Sequence, residues 1–234
     1  IYNALEMVRH MGSSHIEDDF HRFLVEYVKA GMRPQGLKET DSVYKSITHT
    51  LYEVSLPDLK NEEKQEGSRP LKEMLSAMEQ FYAGMMSISA AGKKYGDSKN
   101  HLVIELAVSN TDEQFIFYVS VPNDKADLFE KHVVSVFPNA KVEVQHDDYN
   151  IFNVDGVTVG SVAEFTNNDI YPIKTYDQFD HDPINVILNT LAKIEREGEG
   201  ASIQIVFSQV GDYYTKLYKG SLDKIRKGDK LKEA

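Results

Sequence analysis

Between Thr50 and Asn153 the chain shows an ordered succession of hydrophobic periods: strand, helix, strand, strand, helix, strand. Thr50–Leu56 alternates and puts Tyr52, Val54 and Leu56 on one face. After the charged stretch 58–67, Ser68 and Pro70 suit a helix start, and Leu71, Met74, Leu75, Met78, Tyr82 and Met85 recur at helical spacing. His101–Val108 and Gln114–Val121 are the strongest strands, joined by a tight hairpin at Asn110–Glu113. Asp124 suits a cap, Ala126, Phe129, Val133 and Phe137 line one side of a second helix, and Ala140–Gln145 is a fourth strand. This order predicts an α+β fold, with a ferredoxin-like βαββαβ unit whose two helices cover one face of an antiparallel sheet.

A second run begins near Val157 and repeats only the first part of that order. Val157–Phe165 and Tyr171–Lys174 read as strands. Asp182-Pro183 opens a helix with Ile184, Ile187, Leu188, Leu191 and Ile194 on one stripe, and Ala201–Val210 is a further strand. Asp212 is placed to cap a last helix. The expected organisation is a helical leader and linker over 1–47, a ferredoxin-like domain over 48–153, and a second, incomplete ferredoxin-like unit over 154–234. The incompleteness implies a fragment, or a final strand that pairs elsewhere. In the leader, Ser14 and Glu17 have capping-box spacing, Ile16, Phe20, Phe23, Leu24, Tyr27 and Val28 follow at helical positions, and Gly31 is a natural stop.

Charge and composition remove several classes of function. The chain of 234 residues has a formal net charge of −11, which argues against a general nucleic-acid-binding surface. The basic stretch that includes Lys216, Lys219, Lys224, Arg226, Lys227, Lys230 and Lys232 reads as a solvated helix face and tail. The absence of cysteine rules out disulfides, thiolate metal sites and cysteine nucleophiles. No run of 18 apolar residues is present, and the N-terminus lacks a basic region followed by an apolar core.

Motifs that carry chemistry are sparse. Gly92-Lys93 fails as a phosphate loop, since Ser87 stands where the first glycine belongs and Lys94 where a serine or threonine belongs. No Gly-x-Ser-x-Gly elbow occurs, and Gly156–Gly160 reads as a turn or bulge. His146 with Asp148, and His181 within Asp177–Asp182, are His/carboxylate clusters able in principle to ligate a metal or move protons, but they sit where turns and caps use the same residues. His10, His15 and His21 lack ligand spacing. No cofactor, metal site or catalytic residue is expected. Phe115, Phe117 and Tyr118 occupy the strand on which RNA-recognition modules stack bases, but Asp112 and Glu113 stand where that motif is basic, so they read as core or interface aromatics.

Several stretches together resemble a known family. They are Leu51-Tyr52-Glu53-Val54-Ser55-Leu56-Pro57, Phe81-Tyr82-Ala83-Gly84, His101–Val108, Phe115–Pro122, and Phe137-Pro138-Asn139-Ala140-Lys141-Val142-Glu143-Val144, with Asp169–Tyr176, Asp182-Pro183 and Ala201–Val206 beyond. Over roughly residues 48–210 the chain is similar to the N-terminal region of type IV secretion and conjugative-transfer ATPases of the HerA-like group from uncultivated bacterial lineages. The resemblance implies a non-catalytic assembly and partner-binding domain. Its expected partners are secretion-channel or motor-domain proteins, or further copies of itself, in the cytoplasm or at the inner face of the membrane. The motor's phosphate-binding residues have no counterpart, so no active-site residue carries over. A single-stranded nucleic-acid module and a small-ligand-binding protein are the alternatives.

Overall fold

A computed structural model describes residues 1–38, 41–55, 71–88, 101–108, 115–146, 150–167, 171, 173–175, 178–179, 183–194, 198–208 and 212–228. The described elements are helices α1 (Tyr2–Met11), α2 (Ser14–Lys29) and α3 (Ser42–Ser46), strand β1 (His49–Ser55), helix α4 (Leu71–Ile88), strands β2 (His101–Val108) and β3 (Phe115–Pro122), helix α5 (Ala126–Val136), strand β4 (Lys141–Val144), helix α6 (Pro183–Leu191), strand β5 (Ala201–Ser208) and helix α7 (Tyr213–Arg226). The fold is α+β with a helical leader.

The sheet has the order β4-β1-β3-β2-β5, and every pairing among the described strands is antiparallel. Its first four strands follow the order expected of a split βαβ unit. The strand of the second run joins this same sheet, matching β2 residue for residue from His101↔Ser208 to Val108↔Ala201. The strand of the second run therefore extends the first sheet instead of opening a second one.

Alternation assigns the two faces. Tyr52, Leu102, Val119 and Val121 meet Phe81 and Met85 of α4 and Phe129 and Val133 of α5 in one buried cluster, with Val54, Ile104 and Phe207 at its margin. Tyr52 and Phe129 are packed ring to ring at 5.0 Å. The Tyr52 hydroxyl leaves this core to donate to Glu130 at 2.8 Å. Burial, then the Glu130 carboxylate, push the Tyr52 phenol up. Phe207 brings β5 under α4 by touching Tyr82 at 5.3 Å.

Glycine matters where α4 crosses α5. The His132 ring lies on the α4 backbone, donating from Nε2 to the Phe81 carbonyl at 3.2 Å and stacking on the Phe81 ring. Any Cβ at Gly84 would overlap that imidazole.

Several expectations are corrected. Val157–Phe165 forms no strand: a strand needs a neighbour for its backbone groups, and none pairs here among the described residues. Tyr171, Ile173 and Lys174 are likewise outside any strand. Ser13, not Ser14, caps α2, accepting from the Ile16 amide, because left-handed Gly12 (φ 66°) ends α1 one residue earlier. Asp124 makes no cap hydrogen bond; a short 3₁₀ turn precedes α5. Asp212 flanks α7 but gives its carboxylate to Lys216 at 2.8 Å. Gly31 takes the left-handed conformation (φ 78°) as expected. Ser68, the Asn110–Glu113 hairpin and Asp182 lie outside the described residues.

Candidate functional site

The face of the sheet away from α4 and α5 carries the polar alternates. Register sets one row across the strands: Glu143, Glu53, Tyr118, Glu105 and Gln204. Amides flank two of its carboxylates, Gln145 donating to Glu53 at 2.6 Å and Gln204 to Glu105 at 2.9 Å. Toward the other end of the sheet, Leu51, Ser120 and Val103 form the next row. Beyond them stand His49 and His101, at the first positions of β1 and β2. The two imidazoles lean together across β3 to a centroid separation of 4.4 Å.

Helix α2 roofs this end of the face. Asp18, His21, Arg22, Val25, Glu26 and Lys29 recur at three- and four-residue intervals, so they share one side of the helix. That side and the sheet residues His49, Leu51, His101, Val103, Glu105 and Ser120 enclose a cleft of about 310 Å³, closed further by His146, Ile151 and Phe152. The apolar stripe of α2 turns elsewhere: Leu24 is buried, and Phe23 stacks between Phe20 and Tyr27. The helix is lashed down at its first turns. His15 Nδ1 donates to the Phe152 carbonyl at 2.9 Å, and the Asn150 amide donates to the His15 carbonyl and to Asp19 Oδ1, each at 3.2 Å.

The electrostatics of the cleft are those of neutral imidazoles. His49 is the one buried polar residue among those described. Desolvation foremost, then the neighbouring His101, hold its pKa down to about 3, while the contact with Ser120 pulls the other way. Its Nδ1 and Ser120 Oγ share a hydrogen bond of 3.1 Å. His101 is also lowered, by burial and then by the Lys45 ammonium. Burial lowers His21 as well. The cleft therefore offers uncharged ring nitrogens at neutral pH, edged by Arg22 and Lys29 and by Asp18, Glu26 and Glu105. Among the described residues no group of three or more histidines and carboxylates is arranged to hold a metal ion.

The sequence candidates fare unequally. His146 forms part of the cleft wall, whereas Asp148 and His181 lie outside the described residues. Phe115 and Phe117 share the parity of Val119 and Val121, which face the helices, and Tyr118 shares that of Ser120, which faces the cleft. Tyr118 is buried, while Phe115 and Phe117 are exposed. The three aromatics do not make one stacking platform. His49, His101 and Ser120 were missed as a group. The available signal was positional: each lies one residue off the core alternation of its strand.

These features define an α+β domain with a ferredoxin-like strand order, widened by a fifth strand and roofed on its open face by a leader helix. The chain belongs to the family described as Domain of unknown function (DUF8128), whose model matches residues 44–231. No curated protein and no solved structure matches it. No helix among the described residues is long and apolar enough to cross a membrane.

Proposed function

We propose that this chain is a non-catalytic assembly domain that binds a secretion-channel or motor-domain protein, as its resemblance to the N-terminal region of conjugative-transfer ATPases implies. One observation carries the reading. Val154, Val157, Val159, Val162 and Phe165 all turn large apolar side chains to water, with Val157 94%, Val162 86% and Phe165 77% exposed. Scattered exposed apolar residues are ordinary, but a contiguous run of them marks a surface that something else covers. The test is co-purification and calorimetry with the RecA-like motor protein encoded in the same reading frame or beside it. Micromolar association, lost in Val162→Asp and Phe165→Asp, is expected. Absence of binding to motor and channel proteins at such concentrations would remove the reading.

The cleft beneath α2 favours a second reading, a small-ligand-binding protein. It has the volume of a metabolite site and polar groups converging on one end. A thermal-shift screen of small polar metabolites separates the two: a ligand that raises Tm in the parent and not in His101→Ala supports it.

A further inference from the structure

The segment 154–167 is a strand without a sheet. Val157-Thr158-Val159 and Ser161-Val162-Ala163-Glu164-Phe165 have the β-branched and aromatic composition of a strand, yet no element forms there. Its first turn is fixed by the Gly156 amide donating to the Asn153 carbonyl at 3.1 Å. Beyond that turn, Val157, Val159 and Val162 are all more than four-fifths exposed.

The same molecule carries an unguarded place for such a strand. β5 ends the sheet, paired on one side with β2 and with no described strand on the other. Natural edge strands are protected by charge, proline, brevity or a covering element. Ala201–Ser208 is eight residues long and has no charged residue and no proline. Ile205 and Val206 are 51% and 61% exposed. The opposite edge differs: β4 has four residues, two of them Lys141 and Glu143.

The arm is rooted beside the start of that edge. The Asn153 side-chain amide donates to the Gly198 carbonyl, and Gly200 lies against Ile151 so closely that a Cβ there would stand 2.9 Å from the Ile151 carbonyl oxygen. An arm leaving this root along its own β5 would run parallel to it. Every pairing in the sheet is antiparallel, and antiparallel pairing is slightly the more stable per residue. Exchange across a two-fold axis removes the conflict, since the arm of one copy then meets the β5 edge of the other in the antiparallel sense. One chain thus supplies both donor and acceptor, the condition for a closed, isologous pair.

We infer that residues 154–167 add as an edge strand to β5 of a second copy, in reciprocal exchange, so that two five-stranded sheets form a dimer. This goes beyond the assembly reading above, giving the exposed run a second copy of the chain as its partner. Main-chain hydrogen bonds would supply affinity, and alternate apolar side chains of the arm would supply register.

Light scattering across a dilution series, paired with cross-linking, tests it. The parent is expected to be a concentration-dependent dimer. Successive amides of a strand point to opposite edges, so one of Thr158→Pro and Val159→Pro must remove a ladder donor; that variant is expected to weaken dimerisation by roughly tenfold or more, while Val159→Thr keeps the dimer. The helical circular-dichroism signal of the parent should be kept in every variant. Because the chain has no cysteine, Val159→Cys and Val206→Cys proteins can be mixed and oxidised cleanly, and a disulfide between the two variants is expected. A monomer at all concentrations, a dimer indifferent to both Thr158→Pro and Val159→Pro, or a purely intramolecular disulfide in the doubly substituted chain would each overturn arm exchange. A monomer that still binds the motor protein sinks the exchange alone. A dimer that binds neither motor nor channel proteins sinks the assembly reading alone.

Discussion

The imidazoles of His49 and His101 stand 4.4 Å apart at the first positions of two strands that are not neighbours, meeting over β3 beneath the leader helix. Two protonated rings at that distance would repel. The fold therefore holds them neutral, with His49 down to about 3 from an ordinary 6.5, mainly by burial. A histidine whose folded pKa lies below its unfolded value makes the unfolded state the better proton binder. Its contribution to stability is whole above about pH 6.5 and is lost as pH falls toward 3. At about 1.36 kcal/mol per pKa unit, the loss for His49 at pH 5 is on the order of 2 kcal/mol. Urea unfolding at neutral pH and at pH 5 should show that loss in the parent, and a smaller one in His49→Gln. An identical pH difference in parent and variant would contradict the burial argument.

Gly84 exists for His132. In an exposed helical turn, alanine would be the better residue by about 1 kcal/mol. Here its Cβ would overlap the imidazole that caps the α4–α5 crossing. Gly84→Ala should therefore destabilise by about 1–3 kcal/mol, the usual cost of overpacking. His132→Ala should cost stability too, but Gly84→Ala added to it should be neutral or stabilising. A double-mutant cycle by denaturant unfolding reads the coupling. Additive effects would mean the ring moves aside freely.

Tyr52 joins the core to the surface. Its ring is packed on Phe129, and its hydroxyl reaches Glu130 on the next helical position. Tyr52→Phe keeps the ring and deletes a hydrogen bond to a charged group, so a loss of about 1.5–3 kcal/mol is expected. The loss should shrink when Glu130 is replaced by alanine. A Tyr52→Phe effect that is the same with and without Glu130 would assign the cost to packing.

Much of the sheet was legible because period-two alternation is local. Tyr52, Val54, Leu102, Ile104, Val119 and Val121 announce one buried face without reference to any partner strand. The place of β5 was not legible, since Ala201–Ser208 looks alike whether it opens a new sheet or extends an old one. Val157–Phe165 misled for the same reason in reverse: strand composition states a capacity, and pairing decides whether it is used. The cleft was legible only in halves. Alternation puts His49 and His101 off the core face, but their meeting depends on the strand order, and His21 arrives from a helix some thirty residues upstream of β1. Composition offered no warning, because histidine clusters announce themselves in sequence only when the ligands share one element.

The leader helix is held over the cleft by few polar contacts, and Asn150 makes two of them, to the His15 carbonyl and to Asp19. The same residue accepts from the Phe152 amide at 2.9 Å, which shapes the loop whose Phe152 carbonyl receives His15. One side chain thus sets both sides of the attachment. The core beneath α4 and α5 shares no member of this set. Asn150→Ala should therefore loosen α2 without loosening the sheet, as a local rather than a global opening. Losing about 1.4 kcal/mol of local hydrogen bonding corresponds to roughly tenfold faster amide exchange. Exchange followed by mass spectrometry should show that acceleration in 14–29 and unchanged protection in β2 and β3. If α2 keeps its protection in the variant, the attachment resides in the apolar contacts of Leu24. If β2 and β3 exchange faster as well, the leader and the sheet unfold as one unit, and the roof over the cleft does not move by itself.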